Sequence, residues 1–503
     1  PAQTSATTTT KPHFTISQET TAITTPLRSD GTVDYVAAIN EKYSAGVTPK
    51  NNGFVAWLKV FGTSDEVLAS KTKSDLLKAC GAEELPADAP VWVPYQKYLE
   101  AERGLTGDAL INAAEELMKA RQTLWTRQEK PELASFLRAR EKQLAAAAEA
   151  AELPKWWVPA VTFEKPAILT INLPSLGRWR EVTYAFAARA TLRAHDGDFE
   201  GFWKDVRTTK LLAAQMGQGA TLIERLVGVA MDGIANQACG TVAGAGILTE
   251  PQCKSLAERL AAMPLLPALP DSVETLEQWN TLDIIATISM GKTESYATAL
   301  GQNTSDDPNL SKLQTIDTQE VDWDLVLKLA TTTYNEEVLA LGESGFRDML
   351  EASRAVESRL MKWTQDLTTH KDLRKDPTET RDSYSKRAAQ SLACTLVLTT
   401  GAWKAEVLKR RAGQQRQMLS VLLAAAQSKA AHGKWPASQE ELVPGLLKEL
   451  PIDMYSKDGK SPFRYLARDG TATVYSVGEN GEDDGGIWID AGKKDDLPIG
   501  AIR

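Results

Sequence analysis

Basic runs, histidines, closely spaced cysteines and long apolar stretches are all scarce in this chain, and each scarcity removes a class of function. No basic run exceeds Lys409-Arg410-Arg411, and the formal charge is −9. Nucleic acids and anionic membrane surfaces are bound through clustered lysines and arginines, so neither is an expected partner. The four histidines, His13, His195, His370 and His432, have no His or Glu at ligand spacing on a shared helix, which excludes HExxH and ExxH metal sites. The four cysteines, Cys80, Cys239, Cys253 and Cys394, lack zinc or redox spacing. Buried free thiols are the expectation, and a Cys239–Cys253 pair would need two helices packed side by side. The longest uncharged run near the C-terminus, Ala388 to Trp403, has 16 residues and is too short and too polar to span a bilayer, so no transmembrane segment is expected. The chain begins at Pro1 rather than Met and carries no signal peptide at its start, as a processed, exported product would.

Catalytic signatures are equally sparse. Ala286 to Thr293 has the spacing of a phosphate-binding loop. It carries one glycine and issues from a helical pattern, whereas phosphate binding requires a strand, a glycine-rich loop and a helix in that order. Ser70-Lys71-Thr72-Lys73 matches SxxK without its companion motifs, and there is no GxSxG elbow. His195 with Asp196 and Asp198 is the one local group with proton-transfer chemistry, and it reads as a helix-ending turn. A carboxylate pair for glycoside hydrolysis can be drawn from distant positions, and nothing here points to one.

What the chain does contain is core. Apolar residues make up 43% and charged residues 24% of 503 positions, enough for a globular protein of several domains. Thirteen tryptophans are spread along it, as expected of anchors between helices, with Trp156-Trp157 as the alternative ligand-facing pair. The pattern predicts a mainly α fold: a multi-helix body of antiparallel hairpins with a small C-terminal α+β domain. Residues 1–30, rich in threonine, read as an extended arm that must lie across another surface if ordered. Residues 31–265 form a helical domain interrupted by a proline-rich extended loop with one or two short strands at 153–175. Within it, Thr63 to Glu66 and Thr249 to Gln252 are capping boxes, and Thr106 to Glu152 reads as two helices broken at Pro131. Helices between Leu176 and Met263 turn at 195–198 and 217–219. A proline-rich hinge at 264–275 opens a second helical region, 266–412, which contains a polar loop at 301–316. A long helix begins at Asp382 and runs to His432, with kinks expected at Gly401 or Gly413. Residues 413–503 complete that helix and add the α+β domain.

The tail is the most ordered in design. Gly433 ends the long helix, Ser438 to Glu441 is a capping box, and Phe463–Ala467 and Ala472–Val477 alternate around Asp469-Gly470 as a hairpin. Gly486 to Asp490 is expected to add a third strand. Trp435-Pro436, Glu440 to Pro444, Leu450-Pro451 with Asp453, Phe463 with Tyr465, Tyr475 to Gly478, and Asn480-Gly481 through Gly486 together resemble the globular head of the major pseudopilin of type II secretion systems. The whole layout is similar to large exported bacterial proteins, with no assigned activity, that carry such a tail. The resemblance implies a pseudopilin-like domain whose acidic loop binds calcium, with Ser476, Asn480, Asp483, Asp484 and Asp490 as oxygen ligands, a donor set suited to a hard cation. Pseudopilins begin with a membrane-spanning helix, and here residues 1–412 stand in its place.

These features lead to the expectation of a periplasmic or extracellular, non-catalytic scaffold or binding protein. It would act in protein–protein assembly or self-assembly at the cell envelope, with calcium as a stabilising cofactor. An enzyme with its site in the helical body under the 153–175 loop is the alternative, and peptide capture against Trp156 and Trp157 is a third.

Overall fold

The computed structural model describes residues 12–162, 168–171, 173–174, 176–294, 312–368, 372–396, 399–490 and 494–500. The N-terminal part runs through α1 (Gln18–Thr21), α2 (Tyr35–Tyr43), α3 (Gly53–Phe61), α4 (Ser70–Cys80), α5 (Tyr95–Ala101), α6 (Gly107–Ala120), α7 (Pro131–Ala139) and α8 (Glu141–Ala151). Four helices follow: α9 (Leu176–His195), α10 (Phe199–Met216), α11 (Leu222–Gly244) and α12 (Glu250–Ala261). Next, α13 (Pro270–Ser272) passes through a π turn, Val273–Glu277, into α14 (Gln278–Ser289). The second helical region holds α15 (Trp323–Leu341), α16 (Phe346–Thr368), α17 (Arg381–Leu396) and the start of α18 (Thr399–His432). The tail adds β1 (Arg464–Arg468), β2 (Thr471–Ser476), β3 (Trp488–Asp490), β4 (Lys494–Asp495) and β5 (Leu497–Gly500). The fold is mainly helical, with a small three-stranded antiparallel sheet in the order β1-β2-β5 near the C-terminus.

Several expected boundaries move. Thr63 does not cap a helix: its hydroxyl accepts the Leu85 N–H at 2.9 Å, and α4 starts at Ser70. The stretch from Thr106 to Glu152 makes three helices: the chain is broken ahead of Pro131, which opens α7, and again at Arg140, whose non-helical backbone (φ −103°, ψ 12°) separates α7 from α8. Residues 270–275 are helical, so the hinge is confined to the chain before Pro270. Among the described residues of 153–175 there is a 3-10 turn at Ile168–Thr170 and an isolated bridge from Lys155 to Asn52, but no strand. Of the expected long helix, Arg381–Leu396 and Thr399–His432 are helical, residues 397–398 lie outside the described residues, and the helix runs unbroken through Gly413. Residues 301–311 of the expected polar loop lie outside the described residues, whereas Leu313 and Ile316 are buried.

Residues 12–30 of the arm are laid against α15. The Thr15 N–H and hydroxyl both donate to Asp324, at 2.7 and 2.9 Å, Lys328 pairs with Glu19 at 3.0 Å, and Phe14 is buried. Residues 1–11 lie outside the described residues. Trp57, Trp92, Trp125 and Trp179 are fully buried in one core built from α3 to α9 with parts of α10 and α11. Buried ion pairs lock α9, α10 and α11 together: Arg189 holds Asp205 through two bonds of 3.0 and 2.7 Å, and Lys210 meets Asp232 at 2.7 Å. Each would be costly to break one-sidedly, because the surviving charge would be left buried.

A second core joins the arm, α2, α14, α15 and α17. A third joins α9 to α12 with residues 418–426 of α18 and the tail sheet, so Cys239, Leu422, Val474 and Ile499 share one apolar cluster. The sheet reaches α11 through β5. A Cβ added at Gly240 would lie 2.5 Å from the Ile499 side chain and 2.9 Å from the Gly500 nitrogen, so only glycine permits this approach. Substitution G240V should therefore lift β5 off α11, costing about 1–3 kcal/mol. Faster amide exchange at 497–500, with α3 to α8 unaffected, would be the reading.

One buried acid has no such accommodation. Glu337 of α15 is 1% exposed, its Oε1 has no hydrogen-bond partner among the described residues, and burial, with the nearby Glu357 charge, pushes its pKa up to about 8 from an ordinary 4.5. Its neutral form contributes stability that is full below about 4.5 and is lost as the pH rises through about 8. Glu337→Gln should flatten that part of the pH–stability curve, gaining on the order of 1–3 kcal/mol at alkaline pH in denaturant titrations.

Candidate functional site

The acidic loop lies between β2 and β3, and its shape is set by the chain that returns beneath it. Gly478 has φ 65°, and a Cβ there would overlap the Asp495 carbonyl. The loop can thus sit directly on the segment joining β4 to β5. The hairpin before it forms as expected, with Asp469 and Gly470 at φ 52° and 81° in the tight turn between β1 and β2. The expected third strand is corrected: β3 pairs with β4 in a separate two-stranded ribbon, and β5 completes the main sheet. The reason is burial, since Leu497 and Ile499 alternate inward onto α11.

The five residues expected as ligands separate into different roles. Ser476 is buried, and its hydroxyl donates to Asp453 at 2.7 Å. Asp483 accepts from the Tyr475 hydroxyl at 2.9 Å and the Gly485 N–H at 3.0 Å, with Arg464 3.3 Å from its other oxygen. Asn480 and Asp484 face one another, the Asn480 amide donating to Asp484 at 3.1 Å. Asp490 lies in β3 opposite Lys494, and its side chain lies outside the described residues.

Three further acids, with no ligand role expected from the sequence, complete the loop. Asp453 is 1% exposed and accepts from the Ser476 hydroxyl, the Val477 N–H at 2.9 Å and the Tyr455 N–H at 3.0 Å. It ties the segment before β1 to the end of β2. Asp495 accepts the Asn480 N–H at 3.2 Å. Asp496, wholly buried, accepts the Asp484 N–H at 2.9 Å and the Gly486 N–H at 2.7 Å through a single oxygen. Asp495 Oδ1 and Asp496 Oδ1 are buried without a hydrogen-bond partner among the described residues. Burial pushes Asp496 up to about 6, the Gly486 N–H pulls it down, and the Asp483 and Asp484 charges add to the rise.

Among the described residues no three His, Cys, Asp or Glu side chains are already gathered as a metal shell. The donor chemistry is nevertheless of the kind a hard cation takes: two buried carboxylate oxygens without a partner among the described residues, beside the Asp483 and Asp484 charges. Asp495 and Asp496 are the two carboxylates beneath the loop with an oxygen left unpartnered among the described residues. The signal for the added pair was in the sequence as Asp495-Asp496 just ahead of the alternating Leu497 and Ile499.

The other candidates resolve into structure. Trp156 is 3% exposed, packs edge-on against Phe54 and Trp179, and donates to Glu224 at 3.2 Å, so it braces the loop rather than lining a peptide surface. Ala286 to Ser289 end α14, and the Gly291 N–H closes the helix onto Ile288 O, which leaves no phosphate cradle there. Lys73 of the SxxK match pairs with Asp65 and Glu84. His195 ends α9, with Asp196 3.7 Å away and Asp198 capping α10. Cys80, Cys239 and Cys253 are buried free thiols, and the Cys394 side chain lies outside the described residues.

No family model, curated protein or solved structure matches this chain. No helix among the described residues is long and apolar enough to cross a membrane.

Asp453 is the most demanding position around the loop. Asp453→Ala would strand three donors, two of them in buried backbone or side chain, and should cost about 2–4 kcal/mol in chemical denaturation. Asp453→Asn should recover only part of that loss.

Proposed function

We propose that this chain is an exported, non-catalytic scaffold or binding protein of the periplasm or cell exterior. It acts in protein–protein assembly at the cell envelope, and its C-terminal pseudopilin-like module is stabilised by calcium. The observation that carries the reading is the pair of orphaned buried oxygens on Asp495 and Asp496 beneath the acidic loop. It is supported by the placement of the pseudopilin-like motifs: Phe463 buried ahead of β1, Tyr465 in β1, and Tyr475 and Ser476 closing β2. Calcium would supply a divalent charge that takes oxygen ligands and quiets the repulsion among Asp483, Asp484 and Asp496. The chemistry also suits an exterior home, where calcium is abundant and where the three described thiols are kept from oxidation by burial.

The linkage has a definite sign. Without a cation, Asp496 contributes stability that is complete below its ordinary 3.8 and is lost as the pH rises through about 6. Calcium binds the ionised carboxylate, so its effect should be large above that pH and small below it. Thermal unfolding in millimolar calcium should show a midpoint roughly 2–5 °C above that in chelator at neutral pH. The difference should fade in mildly acidic buffer. Asp496→Asn should abolish the difference without lowering the chelated midpoint. An unchanged midpoint in calcium at neutral pH would remove the metal from this reading.

A further inference from the structure

One polar cluster lies buried between α10 and α11 and brings together three groups of complementary reactivity. Lys210 of α10 is 3% exposed, and Asn236 of α11 is wholly buried. The Lys210 amine stands 2.5 Å from Asn236 Oδ1 and 2.7 Å from Asp232 Oδ1. The Asn236 amide nitrogen donates to the other Asp232 oxygen at 3.0 Å. Chemistry fixes the sense of each contact: an ammonium only donates and so faces the amide carbonyl, and a carboxylate only accepts and so faces the NH2. Asp232 lies one turn before Asn236 on the same helix, which lets it touch both nitrogens. The two helices are held at close range nearby. A Cβ at Gly228 of α11 would lie 2.7 Å from the Ala213 carbonyl oxygen of α10 and 3.0 Å from the Gly217 nitrogen.

A carboxylate alone would answer a buried ammonium. An ion pair does not require the third group, an amide whose carbonyl carbon is within reach of the amine. With a C=O bond of about 1.2 Å, Asn236 Cγ is at most about 3.7 Å from Lys210 Nζ. Groups poised to react stand roughly 3–3.5 Å apart. In a finished amide the N···O separation is roughly 2.2 Å, so bond formation asks this contact to close by only a few tenths of an ångström. The last torsion of an asparagine side chain is soft, so the amide can turn its face to the amine while both helices stay in place.

We propose that Lys210 and Asn236 react within the folded chain to form an isopeptide bond, with Asp232 as the general acid–base. Asp232 takes a proton from Nζ and frees the lone pair that attacks Asn236 Cγ. The Nζ–Cγ bond forms, and the Cγ–Nδ2 bond breaks with its electron pair leaving on nitrogen. Asp232 passes the proton to that nitrogen. Of the three Nζ protons, one stays on the new amide and two depart with the Nδ2 group as ammonium. Asp232 ends ionised as it began, and no oxidant or reductant is consumed. Burial keeps water from competing for the carbonyl. The product ties α10 to α11 covalently. This inference does not rest on the role proposed above.

The test is the intact mass of the full, unmodified chain, measured after denaturation. The main species should be lighter than its sequence mass by one ammonia. After trypsin, residues 208–225 and 226–254 should appear as one joined species, because a lysine in an isopeptide bond resists cleavage at position 210. Lys210→Arg keeps a cation opposite Asp232 but supplies no attacking amine, and Asn236→Ala removes the carbonyl; both should show the full sequence mass. Asp232→Asn should leave most of the chain unreacted. The proposal is overturned if the unmodified chain has its full sequence mass, since the three residues are then an ordinary buried polar network. That reading comes from the unmodified chain, so it stands even where a variant fails to fold. The proposal is also overturned if the ammonia loss maps instead to a succinimide at Asn52-Gly53 or Asn480-Gly481, if Lys210→Arg or Asn236→Ala still loses ammonia, or if Asp232→Asn reacts as completely as the unmodified chain.

Discussion

The burial of the middle turns of α18, Met418 to Ala426, is the constraint on which the rest of the molecule depends. From Met418 to Ala426 only Ser420 reaches solvent in part. A helix that is apolar on every side cannot stand at a surface and must be enclosed. Here α11 and α12 cover one part of it, and β2, β5 and the 3-10 turn at Gln439–Leu442 cover another. The first half of the same helix runs into a different core with α15 and α16, where Val407 and Ala402 pack beside Tyr334 and Leu360. One element therefore belongs to two cores and holds the second helical region and the tail sheet in a fixed relation.

Enclosing α18 in this way determines where the acidic loop sits. The sheet is anchored by the approach of β5 to Gly240, and β5 is continuous with Asp495 and Asp496. The two acids are brought under the loop because the strand that follows them must bury Leu497 and Ile499. Packing energy, spread over many apolar contacts, outweighs the local cost of burying carboxylates without full hydrogen bonding. On one face of α18 the enclosure leaves Gly413 and Gln417 exposed, where α12 and residues 449–454 border a cleft.

Much of the helical layout was legible. The turns at 195–198 and 217–219, the left-handed glycines at 81 and 433, the hairpin at Asp469-Gly470 and the unsuitability of the tail helix for a bilayer follow from residue chemistry at short range. Misread positions share a cause. Thr63 looked like a cap because cap residues are common, but a backbone N–H from residue 85, far along the chain, claimed its hydroxyl. Gly486 to Asp490 was the expected third strand, but Leu497–Gly500 takes that place, pairing with β2 and bringing Ile499 against Gly240 of α11, far earlier in the chain. At the acidic loop, Asn480, Asp483 and Asp484 were legible as oxygen donors, whereas Asp453, Asp495 and Asp496 were not, since their importance comes from burial.

What the sequence determined by itself is therefore the class of the molecule: a helical, acidic chain with a short β-rich tail and an oxygen-rich loop, features carried by periodicity, composition and turn chemistry within a few residues. The tertiary structure alone decided which carboxylates lie beneath that loop, which strand closes the sheet, and where the cover on α18 ends. Those outcomes are set by long-range competition for buried surface, in which a distant glycine such as Gly240 can matter more than any neighbour in the chain.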